Sequence, residues 1–284
     1  MKKKVVYLLG AGRSGTTIMA TVLGGNPQIV TIGEMHQFLD HVVEDKNCSC
    51  GVKMIDCTFW QRIISQLNIS PEELKDWCLK SNNKEKHRNI PYLMSSQKED
   101  IEYLNIHETI FNLIYSCTSN SKYLLDSSKY IARYLLLRKS KQMSVKGIFV
   151  VRDVRGVINS FMKKVQTSRS PISTIFYYTL INFFGQIVCW SDKNVIKVRY
   201  EDFVENTNDV LEMIYKHLEM DDSTKGYNSE EFEIPHIVGG NRLKHQSKIT
   251  IRKDEKWKEN IVRHKQFLYY FLTFPLMVVN KYKL

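Results

Sequence analysis

Apolar positions along the chain fall into two rhythms. Short, nearly continuous apolar runs, VVYLL (5–9), KYLLD (122–126), GIFVV (147–151) and NVIKV (194–198), read as strands buried on both faces. Longer stretches with helical spacing separate them. That alternation, with connections long enough for crossovers, predicts an α/β fold: a single domain over 1–284 with a central parallel sheet flanked by helices. Between Cys57 and Asn120 the pattern is helical, which predicts a helical insertion over 58–120. Ser70, Pro71 and Glu73 mark a helix start there, with Ser70 as the cap, Pro71 first and Glu73 reaching back. The polar stretch 80–100 predicts a mobile loop. From 221 to 253 periodicity fades among Gly226, Pro235, Gly239 and Gly240, as in a long binding loop. A helical segment over 255–284 closes the chain.

The strand VVYLL runs into Gly10, Ala11, Gly12, Arg13, Ser14, Gly15, Thr16 and Thr17, followed by the helical run IMATVL. Glycines let backbone amides approach anionic oxygens, and a helix start adds unpaired amides and a positive dipole end. Against the nucleoside-triphosphate loop GxxxxGK[ST], Gly10 and Gly15 fit the spacing, but Thr16 stands in place of the lysine and the cation has moved to Arg13. The missing lysine argues for a grip that needs no metal. A second anion site is predicted after GIFVV. Arg152 ends that strand, and Ser160 falls about two turns along a helix starting near Asp153, so both could converge on one phosphate.

On these residues the chain resembles the PAPS-dependent sulfotransferases, whose phosphosulfate loop is similar to GRSGTT after a first strand. The resemblance implies a P-loop-like fold and the donor 3'-phosphoadenosine-5'-phosphosulfate (PAPS). Gly12, Arg13, Ser14, Gly15, Thr16 and Thr17 would hold its 5'-phosphosulfate, and Arg152 with Ser160 its 3'-phosphate. Three further segments fit the family: LLDSSKYIARYLLL (124–137), with Asp126, Ser128 and Lys129 near the site, KVRYEDF (197–203), and GGNRLK (239–244) followed by DEKW (254–257). The last supplies Arg242 and Lys244 as donor-binding candidates, although the family pattern has arginine where this chain has Lys244. Glu34, shortly after the first helix as in Golgi and bacterial members, is the implied base. His36 is its rival, because cytosolic members use a histidine elsewhere in their chains. Arg13 or Lys129 would stabilise the departing phosphate.

Sulfuryl transfer needs an acceptor oxygen in line with sulfur, cations for the developing charge and a base for the hydroxyl proton. The acceptor expected from the resemblance is a hydroxyl of a carbohydrate or glycoconjugate, with a glycolipid or small molecule left open. The formal charge of +11 suits anionic ligands without choosing among them. No nucleic-acid motif is present, and the 28 phenylalanines and tyrosines recur at helical spacing, as core residues do. The rival reading is a P-loop kinase or NTPase using ATP and magnesium, which would need an aspartate at a strand end; Asp126 is the one candidate.

Cys48, Cys50 and Cys57 cluster in NCSCGVKMIDC, ahead of Trp60. Their spacing departs from the two-residue gaps of zinc sites, and no fourth ligand is obvious, although His36 and His41 lie upstream. The stretch also resembles bacterial sulfotransferases, which implies a family-type loop near the acceptor site, with no metal expected. Six cysteines without an export signal predict a reduced, cytoplasmic setting. No stretch reaches the roughly 20 apolar residues of a membrane span. FLYYFLTFPLMVV (267–279) fits either a core helix or a segment lying flat on a membrane surface.

Overall fold

The computed structural model describes residues 2–118, 121–163, 168–220, 231–240 and 248–284. Five strands, β1 (Lys3–Gly10), β2 (Ile29–Gly33), β3 (Tyr123–Lys129), β4 (Met143–Val151) and β5 (Val195–Arg199), form one parallel sheet in the order β2-β3-β1-β4-β5. Each continuous apolar run forms a strand, with Lys122 and Asn194 lying just ahead of β3 and β5. The central place of β1 follows from its composition: Val5 to Leu9 are all buried, which only a strand covered on both faces allows. β1 pairs with β3 in the register Val5↔Leu124, and β3 pairs with β2 in the register Val30↔Leu124. A second sheet joins the three-residue strands β6 (Glu231–Glu233) and β7 (Lys248–Thr250).

The chain divides into two compact units. The first comprises Met1–Leu9, Thr17–Gly147 and Ser229–Ile249. Its helices are α1 (Thr16–Gly24), α2 (Phe38–Val43), α3 (Trp60–Leu67), α4 (Pro71–Lys84), α5 (Ile90–Ser95), α6 (Ile101–Ser116) and α7 (Ile131–Leu137). α4 begins as its sequence dictates: Glu73 N–H donates to Ser70 Oγ, and Ser70 N–H donates to Glu73 Oε2. The polar stretch 80–100 is ordered, against expectation. α4 runs on to Lys84, α5 follows, and Ser81, Glu85, Ile90 and Leu93 are buried, so four buried side chains anchor a segment whose exposed residues are mostly polar.

The second unit comprises Gly10–Thr16, Ile148–Asn228 and Thr250–Leu284. It holds α8 (Val154–Met162), α9 (Pro171–Ser191), α10 (Tyr200–Glu205), α11 (Thr207–Leu218), α12 (Trp257–Asn260), α13 (Arg263–Leu272) and α14 (Phe274–Val279). α9 is long and apolar enough to cross a membrane by length and composition. That corrects the expectation that no stretch is long enough, which the polar Asn182 and Gln186 within it obscure; both are buried, and Asn182 Nδ2 donates to the Tyr178 carbonyl at 2.8 Å. The apolar run 267–279 forms two helices, not one. Pro275 lies in the first turn of α14, where its missing N–H costs nothing, and Thr273 Oγ1 donates to the Tyr269 carbonyl at the break.

Candidate functional site

In the second unit the glycine loop Gly10–Thr16 leads into α1. Ser14 N–H closes the loop on the Ala11 carbonyl at 3.3 Å, and Gly12 N–H donates to Tyr177 Oη at 2.8 Å. Gly15 has φ +90°, and a Cβ there would lie 2.2 Å from the Tyr200 ring, so only glycine fits. Arg13 holds φ +69°, a left-handed conformation that a long side chain adopts only when its surroundings impose it. Its guanidinium lies 5.5 Å from the Phe161 ring centroid. Ser14 is fully buried, and its hydroxyl has no protein partner. An unsatisfied buried hydroxyl costs about 1–3 kcal/mol, which an anion seated in the loop would relieve. Thr16 opens α1, and Thr17 follows in its first turn.

Arg152 lies at the end of β4. It is buried, its guanidinium stacks on Tyr200 at 4.3 Å, and its Nη1 donates to the Arg13 carbonyl at 3.2 Å. Nη2 reaches both the backbone carbonyl and Oδ2 of Asp254, each at 3.1 Å. Burial raises the Asp254 pKa, but the Arg152 charge lowers it further, so the carboxyl sits below its ordinary value. A helix does start beside Asp153, as expected, and Asp153 caps α8: its carboxylate accepts from Arg155 N–H at 2.8 Å. Ser160 is half-buried on that helix. The structure therefore joins Arg152 to the glycine loop through a backbone carbonyl. Sequence reasoning missed Tyr177, Tyr200 and Asp254, because their partners lie far away in the chain and no local spacing signals them. Arg242 and Lys244 lie outside the described residues.

In the first unit Glu34 follows β2 and is buried. Lys129 Nζ donates to its Oε1, and Gln37 Nε2 donates to its Oε2 at 2.8 Å. Lys129 ends β3 with φ +70°, a second cation in the left-handed region. Glu34 N–H donates to the Val238 carbonyl at 2.8 Å, which ties the segment 235–239 to the end of β2. His36 N–H donates to Ser128 Oγ at 2.9 Å, and its ring lies against Tyr130 with centroids 4.3 Å apart and planes tilted by 32°. Burial first, then the charges of Lys129 and Arg133, push the His36 pKa well below its usual value, and its buried Nδ1 has no partner.

Asp126 is completely buried and both its oxygens are committed. Oδ1 accepts from Ser128 N–H and Oγ, and Oδ2 accepts from Arg133 Nε at 2.9 Å. Arg133 Nη1 in turn reaches Glu85 Oε1 at 2.6 Å. Asp126 is thus the anchor of an internal ion-pair network, which leaves it ill placed for the metal role that an ATP-dependent reaction would ask of it.

A model of the sulfotransferase family matches residues 6–224, well over half of the chain. Among solved structures, the sulfotransferase domain from the Synechococcus PCC 7002 olefin synthase matches over 100% of this chain and 96% of that one, with TM-score 0.60 at 17% identity. The sulfotransferase domain from the curacin biosynthetic pathway matches over 99% and 98%, with TM-score 0.60 at 15% identity. At such identities these two likenesses establish the fold alone, a parallel sheet flanked by helices. No curated protein matches the chain by sequence. With the family model spanning the glycine loop, Glu34, Lys129 and Arg152, the chain belongs to the sulfotransferase family.

Proposed function

We propose that the chain transfers the sulfuryl group of PAPS to an acceptor hydroxyl, and that the glycine loop grips the 5'-phosphosulfate. The buried, unpartnered Ser14 hydroxyl carries this reading, because it lies at a helix start beside a cation, where an anion has most to gain. Gly12, Arg13, Gly15, Thr16 and Thr17 complete that grip. Arg152 and Ser160 take the 3'-phosphate, with Tyr200 as the flat platform under the guanidinium. Arg242 and Lys244 retain their candidate role in donor binding.

In the transfer, the acceptor oxygen attacks sulfur in line, the new S–O bond forms as the S–O bond to the 5'-phosphate breaks, and adenosine-3',5'-bisphosphate leaves. Glu34 accepts the hydroxyl proton. Once protonated, it no longer balances Lys129, whose ammonium is then free to turn to the departing phosphate oxygens, with Arg13 assisting. His36 is the second reading for the base, favoured by its neutral ring and unpartnered Nδ1. No protein metal enters these steps.

The acceptor class we favour is a carbohydrate or glycoconjugate hydroxyl, including glycolipids, with small molecules behind it, and nucleic acid is not a partner in this reading. The setting is cytoplasmic, with peripheral membrane contact through α13 and α14. In support of that contact, Phe267, Phe271, Leu272 and Phe274 are exposed. Thermal-shift titration separates the donor readings: stabilisation by adenosine-3',5'-bisphosphate is expected, and stabilisation by ATP with magnesium alone would refute it. Labelled PAPS offered with each acceptor class identifies the substrate.

A further inference from the structure

Apart from the residues given to sulfuryl transfer, one cluster has chemistry of its own. The Sγ atoms of Cys48, Cys50 and Cys57 and a ring nitrogen of His236 all lie within 4.8 Å of one another. Cys57 Sγ is 3.2 Å from His236 Nδ1, Cys48 Sγ is 3.9 Å from the same nitrogen, and Cys50 Sγ is 3.8 Å from Cys57 Sγ. All three cysteines are free thiols. A tetrahedral zinc ion with bonds of about 2.3 Å to sulfur and about 2.0–2.1 Å to nitrogen spaces its ligand atoms roughly 3.5–3.8 Å apart. The measured gaps bracket that spacing. Three thiolates and one imidazole form a closed, soft ligand set that selects zinc over magnesium or calcium.

The chain builds this cluster from distant pieces. Cys48 N–H donates to the Val52 carbonyl at 2.8 Å and Gly51 N–H donates to the Cys48 carbonyl at 3.0 Å, a tight turn that brings Cys48 and Cys50 together despite the single residue between them. Ser49 then clamps the remote strand of chain on both sides of His236: its Oγ donates to the Pro235 carbonyl at 2.7 Å and accepts from Ile237 N–H at 2.9 Å. Phe59 stacks against His236 with ring planes 16° apart. Cys48 and Cys57 are fully buried, whereas Cys50 is exposed and leaves a path for an ion to enter. The same segment continues to Val238, which bridges Gly33 and accepts from Glu34 N–H. Gly33 has φ +84°, and a Cβ there would lie 2.3 Å from the Val238 carbonyl oxygen, so the approach is built into the backbone.

We propose that Cys48, Cys50, Cys57 and His236 bind one zinc ion, and that this ion pins residues 235–239 against the end of β2 at Glu34. Binding balances as Zn²⁺ taken up by three thiols and one neutral imidazole with loss of three protons, giving a complex of net charge −1. No redox step is involved. The site is structural: four protein ligands leave no open position for substrate.

The test uses the full chain purified with reductant from zinc-supplemented medium. Elemental analysis is expected to find about one zinc per chain, released by an organomercurial thiol reagent and reported by a chromogenic chelator. Cobalt(II) exchanged into the site should give intense tetrahedral visible bands and a thiolate charge-transfer band. Cys57→Ser and His236→Ala should lose the metal, Cys117→Ser and Cys189→Ser should keep it, and His236→Cys should keep it with a stronger thiolate band. The wild-type measurements decide the matter even if a ligand variant fails to fold. Zinc below about 0.1 equivalent in that preparation, an octahedral cobalt spectrum, or a Cys50–Cys57 disulfide formed despite zinc and reductant overturns the proposal. Metal content is read without turnover, so the result is independent of the sulfuryl-transfer reading.

Discussion

Asp254→Asn is expected to tighten binding of adenosine-3',5'-bisphosphate, an unusual direction for a substitution at a ligand site. Asp254 Oδ2 stands 3.1 Å from Arg152 Nη2, where a donor phosphate would have to sit if Arg152 is its anchor. At an effective dielectric of about 20 the gross attraction across that distance is about 5 kcal/mol. The net value is much smaller. The Asp254 side chain is 31% exposed, so water and salt screen the pair, and exposed pairs measure about 0.2–1 kcal/mol. Because the Arg152 side chain is only 7% exposed, a net competition of about 1–2 kcal/mol is reasonable. Removing it should improve affinity by about 5–30-fold. Asparagine keeps the backbone carbonyl that also accepts from Arg152, so the loop should hold its place. Isothermal titration calorimetry at low and high salt checks this, with the gain shrinking as salt rises. Equal or weaker binding by Asp254→Asn would refute the assignment of Arg152 to the phosphate.

Other expectations follow from the same geometry. Glu34→Gln should lower turnover by about 10²–10⁴-fold with little change in bisphosphate affinity, whereas a comparable loss confined to His36→Asn would move the base to His36. Gly156→Ala places a Cβ 2.9 Å from Arg152 Nε while gaining about 1 kcal/mol of helix propensity, so bisphosphate affinity should fall about tenfold with the fold intact; unchanged affinity in calorimetry would contradict it. His36 and His107 are held neutral, chiefly by burial, with pKa values well below the usual 6.5. An unfolded chain then binds more protons as pH falls below about 6.5, so stability should drop by up to about 1.4 kcal/mol per pH unit per histidine between about pH 6.5 and 5. Urea unfolding that is flat across that window would exclude the effect.

Much of the sheet was legible because its strands are apolar on both faces, a signal that needs no knowledge of partners. Local capping was equally plain at Ser70, where donor and acceptor lie within three residues. The stretch 80–100 misled because its exposed polar residues outnumber Ser81, Glu85, Ile90 and Leu93, the four that anchor it. Long-range pairings carried no such signal. Asp254 meets Arg152 across 102 residues, and His236 meets Cys57 across 179, and in neither case does spacing announce the partner. The cysteine cluster showed three of its members in sequence and hid the fourth, His236, which reaches it from 179 residues away.

The left-handed backbone at Arg13 and Lys129 bears on any attempt to engineer this chain. Glycine would relieve about 1 kcal/mol of conformational cost at each position. A library selected only for heat resistance would therefore drift toward Arg13→Gly, enriching sturdier molecules that had discarded a cation of the proposed chemistry, whereas at Lys129 the buried Glu34 carboxylate left unpaired would cost more than the backbone gains. Selection for this protein has to screen turnover alongside endurance, or it will reward the loss of what the fold was holding in place.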